Sequence, residues 1–136
     1  MRPFSKRLNR QTTDRLAQRR ALLRTFARAW QRHDLEGVMA CMTADCVYEA
    51  SVGPEPGTTF RGADEVRSGI LKMFAHDKGS QAHVSNLFIV GRHAAWEWAY
   101  LWRENNGKKR CVRGCDIFEF SGTKICRKSA FRKTSG

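Results

Sequence analysis

The sequence predicts an α+β domain in which helices come first and an antiparallel sheet fills the C-terminal half. Three observations carry that prediction. Apolar residues recur three and four apart in two N-terminal stretches (Leu16, Leu23, Phe26, Ala27, Trp30; then Val66, Ile70, Met73, Phe74), the spacing of amphipathic helices. From residue 82 onward, strand-like segments alternate with short polar or glycine-bearing breaks. A chain of 136 residues with 41% apolar content can bury a real core but is too short for two.

Each element has its own signal. Residues 1–12 read as a basic tail and 13–136 as the domain. Thr13 can cap the first helix, and Asp34 a second short one carrying Leu35, Val38, Met39 and Met42. "CVYEASV" (46–52) alternates as a strand does, and "GPEPG" (Gly53 to Gly57), with two prolines, must be a loop. "ADEVRSGILKMF" (63–74) forms the third helix. Four strands follow as a meander: "AHVSNLFIV" (82–90), 94–104, 108–120 and "KICRKSAFRK" (124–133).

The turn between the two long strands sets which residues share a face. Asn106-Gly107 is the strongest short hairpin signal, because a type I′ turn needs positive φ at both central residues. A two-residue loop pairs Asn105 with Lys108, so Leu101 opposes Val112, Ala99 opposes Gly114, and Glu97 opposes Asp116. Two carboxylates directly across a ladder cannot both ionise cheaply, and in a secluded site one would keep a proton it could donate. Small Ala99 and Gly114 beside them suggest a pocket. Trp96, Trp98, Tyr100 and Trp102 then share the opposite face, an apolar patch suited to a dimer or partner interface. Two other arrangements would remove the chemistry: Arg24 or Arg28 bridging the acids into an inert ionic cluster, or a bulge that slips the register by one.

Charge bounds the partners. The formal net charge is +12, and residues 1–32 hold ten basic groups against the single acid Asp14. Such an arm can meet phosphates, an anionic membrane surface or an acidic protein, and its Arg-rich, acid-poor make-up is also that of a transit peptide. The expected compartment is the cytoplasm, or the mitochondrial matrix if the arm is a targeting segment. No apolar run approaches the ~20 residues of a membrane span. Five cysteines (Cys41, Cys46, Cys111, Cys115, Cys126) form no C-x-x-C, so reduced thiols are expected and neither a metal nor another cofactor. His33, His76, His83 and His93 follow no ligand spacing.

The order of elements, Trp30 and three stretches carry a family resemblance: "HDLEGVMACMTADCVYEA" after the first helix, "FRGADEVRSGI", and above all "VRGCDIFEFSGTKICRKSAFRK". Over about residues 16 to 133 the chain resembles SnoaL-like proteins of the nuclear transport factor 2-like superfamily. That resemblance implies a cone-shaped α+β barrel, with three N-terminal helices packed in the concave face of a strongly curved, mostly antiparallel sheet. It also implies a cavity between them and a convex face that often forms a dimer. Reaction is not implied, since the scaffold serves isomerases, cyclases, epoxide hydrolases, carriers and structural subunits. Set against ketosteroid isomerases, "CDIFEF" places the oxyanion-hole aspartate on Asp116, while the general base falls on Ala50 or Ser51 and the oxyanion tyrosine near Ala27, so the base is missing. Set against limonene epoxide hydrolases, the arginine falls on Glu97, its partner on Ala99 and the last-strand aspartate on Ala130, with only the tyrosine retained, as Tyr48.

The sequence therefore ranks three functions. First is a small-molecule pocket protein, an isomerase, cyclase or hydrolase acting on a mostly apolar substrate, with Asp116 and Glu97 sharing a proton and acting as acid and base. Tyr48, Ala99, Leu101, Gly114, Phe118, Trp30 and Met73 line its pocket. Second is a non-catalytic accessory subunit docking by its basic termini and aromatic sheet face. A nucleic-acid binder ranks last, since only Trp98, Tyr100 and Arg113 approach the interleaving of aromatic and basic side chains it requires.

Overall fold

The computed structural model describes the backbone of residues 2–134 and the side chains of residue 10 and residues 12–134. The elements run α1 (Arg2–Gln31), α2 (Leu35–Ala40), β1 (Met42–Glu49), β2 (Thr59–Arg61), α3 (Ala63–His76), β3 (Gln81–Val90), β4 (His93–Arg103), β5 (Lys109–Ser121) and β6 (Lys124–Arg132). The strands form one six-stranded sheet in the order β2-β1-β6-β5-β4-β3. All neighbours are antiparallel except β1 and β6, which lie parallel. The short strand β2 was not foreseen; its Phe60 stacks on Tyr48 at 5.8 Å. Gly69 of α3 makes room for that ring, since a Cβ there would meet Phe60 atoms at 2.6–2.7 Å.

The first helix is longer than its apolar stripe. Residues 2–12 continue it, where a tail was expected, because Arg2, Lys6, Arg7, Leu8, Arg10 and Gln11 are good helix formers and the only proline lies in the first turn. The side chains of Arg2, Lys6 and Arg7, part of the basic arm, lie outside the described residues. The buried face of α1 is Arg19, Leu23, Phe26, Ala29 and Trp30. Arg19 is the unexpected member. Its Nε donates to Gly122 O at 3.0 Å and its guanidinium to Gly91 O, and it lies over the Phe120 ring at 5.2 Å. The charge is thus taken up by two turn carbonyls and an aromatic face, which fasten α1 to two hairpin turns.

Asp34 caps α2 as expected, accepting from Gly37 N at 3.0 Å. In α3, Val66, Ile70, Met73 and Phe74 are buried as their spacing predicts, and Glu65 reaches back to Arg61 N at 2.8 Å. The three helices close over the concave side of the sheet, giving the cone-shaped α+β architecture. Its core joins Phe26, Trp30, Tyr48, Ile70, Phe74, Trp96 and Phe118.

The β4–β5 register differs from expectation by one residue, and every face assignment on β4 changes with it. Gly107 N donates to Glu104 O at 2.8 Å and Glu104 N to Lys108 O at 2.9 Å, which encloses a three-residue loop, Asn105 to Gly107. Among the loop residues only Gly107 has positive φ (82°), so Asn106 does not enter the conformation a type I′ turn requires. The loop is instead an ordinary turn followed by a glycine bulge. Trp96 therefore opposes Asp116, Trp98 opposes Gly114, and Glu97 opposes Cys115. A one-residue shift exchanges the two faces of the strand.

Candidate functional site

The concave face gathers Trp96, Trp98 and Tyr100 from β4, Asp116 from β5, Lys128, Ala130 and Arg132 from β6, and Tyr48 from β1. With Phe26, Ala27 and Trp30 from α1, Met73 from α3 and Ser51 after β1, they surround a cavity of about 40 Å³. A space of about 10–15 Å³ holds one water, so this one admits two or three atoms' worth of ligand as it stands.

Asp116 is the polar centre. It is 5% exposed, and each carboxylate oxygen has a donor: Trp96 Nε1 to Oδ2 at 2.7 Å, Trp98 Nε1 to Oδ1 at 3.1 Å. The third partner is Lys128, equally buried, with Nζ 3.3 Å from Oδ1. The same ammonium lies 4.5 Å from the Trp30 ring centroid and 4.7 Å from that of Tyr48. A carboxylate and an ammonium taken out of water persist only when hydrogen-bonded and paired, and two indoles and two aromatic faces supply that here. Beside this pair, Trp30 Nε1 donates to the Tyr100 hydroxyl at 2.9 Å. Burial, and then the nearby Asp116, push the Tyr48 hydroxyl well above the usual tyrosine range. Burial, with Asp77 second, does the same to Tyr100. Both phenols keep their protons at neutral pH.

Several sequence expectations are corrected by this geometry. Glu97 does not face Asp116; it lies exposed on the convex side, accepting from Asn86 Nδ2 at 2.8 Å and pairing with Arg113 at 3.6 Å. Ala99 shares that convex face, as does Leu101, which is 41% exposed, so neither lines the cavity. Gly114 does face inward, but the space above it is filled: a Cβ there would meet Trp98 Cζ2 at 2.3 Å. Phe118 is fully buried in the core between Phe26 and Trp96. Trp30, Tyr48 and Met73 line the cavity. The supposed interface aromatics point the other way: Trp96 and Trp98 are buried, Tyr100 lines the cavity, and Trp102 lines an outer cleft. The cation that meets Asp116 is neither Arg24 nor Arg28 but Lys128. Its inward position follows from a register shift between Glu119 and Phe120 opposite β6. Glu49 lies outside the cavity, held below the usual carboxylate range by hydrogen bonds from Arg127.

This arrangement agrees with a family match. A family model for the SnoaL-like domain covers residues 23–128, from within α1 to Lys128 itself. The chain belongs to the SnoaL-like domain family. Among solved structures, this SnoaL-like protein is similar to a nuclear transport factor 2-like protein of unknown function from Mesorhizobium loti. The two share 22% identity over 88% of this chain and 94% of the other, with a TM-score of 0.72. It is also similar to a protein of ketosteroid isomerase-like fold from Catenulispora acidiphila in complex with trimethylamine (16% identity, 81% and 83% covered, TM-score 0.66). A third similar structure is TerC, co-crystallised with polyporic acid (12% identity, 85% and 92% covered, TM-score 0.71). At these identities the likeness shows the fold. No curated protein matches this SnoaL-like chain in sequence. Among the described residues no helix is long and apolar enough to cross a membrane.

Proposed function

We propose that this SnoaL-like protein binds a small, mostly apolar molecule in its concave cavity and presents Lys128 and Tyr48 to it as hydrogen-bond donors. The observation that carries this is the Asp116–Lys128 pair, buried against aromatic rings in the wall of a mostly apolar space. A protein built only to fill its core would gain more from apolar side chains there, because a buried ion pair is weak evidence for stability. Two of the similar structures hold small molecules, trimethylamine in one and polyporic acid in the other, which supports a binding role for this fold here.

The chemistry available favours polarisation of the ligand over proton abstraction from it. Both oxygens of Asp116 are already engaged by donors, Glu97 is outside, and the position where the resemblance to ketosteroid isomerases places the base falls on Ala50 or Ser51, neither of which is a carboxylate. An isomerase, cyclase or hydrolase reaction would have to proceed through donors to a developing oxyanion, not through a second carboxylate.

A ligand screen followed by thermal unfolding tests the reading. Ligands that raise the melting temperature and quench tryptophan emission in the native chain should lose both effects in Ala130→Leu, which fills the cavity beside Asp116. Hits indifferent to Ala130→Leu would place binding elsewhere and sink the proposal.

A second reading rests on a separate observation. Arg20, Arg24 and Arg28 lie four apart along the exposed side of α1, and none forms an ion pair among the described residues. Like charges at this spacing oppose helix formation, so an acidic partner, as for an accessory subunit, would relieve them. The convex sheet face, with Phe88, Leu101, Ile117 and Phe131 exposed, is the corresponding apolar surface for a second copy or a partner.

A further inference from the structure

The geometry points to an anionic ligand: we propose that the pocket takes a small carboxylate whose head is held at Arg132 and whose apolar body lies outside it. This deepens the pocket reading above and rests on it.

Arg132, near the end of β6, stands where two spaces meet. It lines the inner cavity, and with Tyr100 it also lines an outer cleft of about 370 Å³ formed with His76, Asp77, Trp102 and Val112. Its Nε is buried and has no hydrogen-bond partner among the described residues. No carboxylate pairs with its guanidinium there either. The group is held in place by the Trp98 ring, 5.8 Å from its central carbon. Buried N–H groups are nearly always satisfied, so a positioned, partnerless arginine donor at the mouth of a cavity marks where an acceptor belongs.

Charge and size narrow the acceptor. Lys128, Arg132, Lys78 and Arg103 border the two spaces, against Asp116 and Asp77. Asp116 is committed to Lys128 and two indoles, and Asp77 Oδ1 to His76 Nδ1 at 3.0 Å. Asp77 Oδ2 is itself unpartnered, but Asp77 forms no ion pair with Arg132, so the arginine donor stays open. The balance beside the opening is positive and selects an anion. The inner space of about 40 Å³ fits a group of three heavy atoms, the size of a carboxylate, between Arg132 and Lys128. The outer cleft, nine times larger on the same measure, takes the body against Tyr100, Trp102 and Val112. Arginine suits this role because its fork matches a planar carboxylate.

The test compares acids with their neutral isosteres. Phenylacetate and 4-methylpentanoate, each beside its amide, are titrated into the full chain by calorimetry and by tryptophan fluorescence at one pH and ionic strength. Each acid should bind at least tenfold more tightly than its amide. Arg132→Met should bring the acid down to the amide's affinity and leave the amide within twofold. Arg132→Lys, which keeps the charge, should retain part of the preference even if the Met variant fails to fold. Lys108→Gln, at the exposed tip of the β4–β5 hairpin, should change nothing. Equal binding of acid and amide, or a preference that survives Arg132→Met or vanishes with Lys108→Gln, overturns the anion assignment alone. Saturable binding of neither acid nor amide overturns the pocket reading with it.

Discussion

At the scale of single residues, the site reduces to what surrounds Asp116. Removing its carboxylate strands two indole N–H groups and the Lys128 ammonium at once, and breaking a buried pair from one side costs about 3–5 kcal/mol. Asp116→Ala should therefore lower unfolding free energy by roughly that amount in urea titrations, whereas Glu97→Gln should stay within about 0.5 kcal/mol, as surface changes do. Near-equal effects of the two substitutions would contradict the geometry. Asp116 could be found from the sequence because "CDIFEF" and the alternation of β5 both direct it inward. Lys128 could not. Counting by twos from buried Ile125 puts Arg127, Ser129 and Phe131 inside, but the irregularity opposite Phe120 resets the alternation, so Lys128 is buried and Phe131 is 51% exposed. Nothing in "KICRKS" announces that reset. Arg132 went unread for the same reason.

At the scale of elements, most helices and strands were legible to within a few residues because amphipathic spacing and turn residues are local signals, but the first turns of α1, which begins at Arg2, carry no apolar stripe and read as a tail. The register of one hairpin was not, because Asn-Gly serves two turn types that differ by one residue in loop length. The three-residue loop makes its own prediction. Deleting Asn105 leaves Glu104 opposite Lys108 with Asn106-Gly107 between them, a favoured two-residue turn, so every downstream pair keeps its partner. That deletion variant should fold, with a circular dichroism spectrum like the parent's and a melting temperature within a few degrees. A chain that needed both Asn105 and Asn106 to hold its register would instead lose its cooperative transition. The second strand, β2, escaped notice because three residues beside a proline-rich loop carry too little pattern to identify.

At the scale of the whole molecule, the net charge of +12 and the unpaired arginines of α1 set how it meets polyanions. If an acidic partner covers that helix, replacing Arg20, Arg24 and Arg28 with Gln should flatten the salt dependence of binding to a probe such as heparin. The slope of log affinity against log salt should fall by about 2–3. An unchanged slope would remove α1 from any docking surface. The architecture itself was legible because order of elements, cavity side and C-terminal motif agree with one another. What stayed hidden, the face presented by β4, depended on Asn106 not taking positive φ. The close approach of Trp98 to Gly114 has a last consequence, in the order of evolutionary steps. No side chain can appear at 114 while the indole and the Phe131 carbonyl oxygen, 2.2 Å from where a Cβ would stand, lie over it, so a descendant must shift β6 as well as shrink position 98 and surrender a donor to Asp116. A lineage that keeps the tryptophan should keep the glycine, and one that loses the tryptophan should keep it too unless β6 has moved.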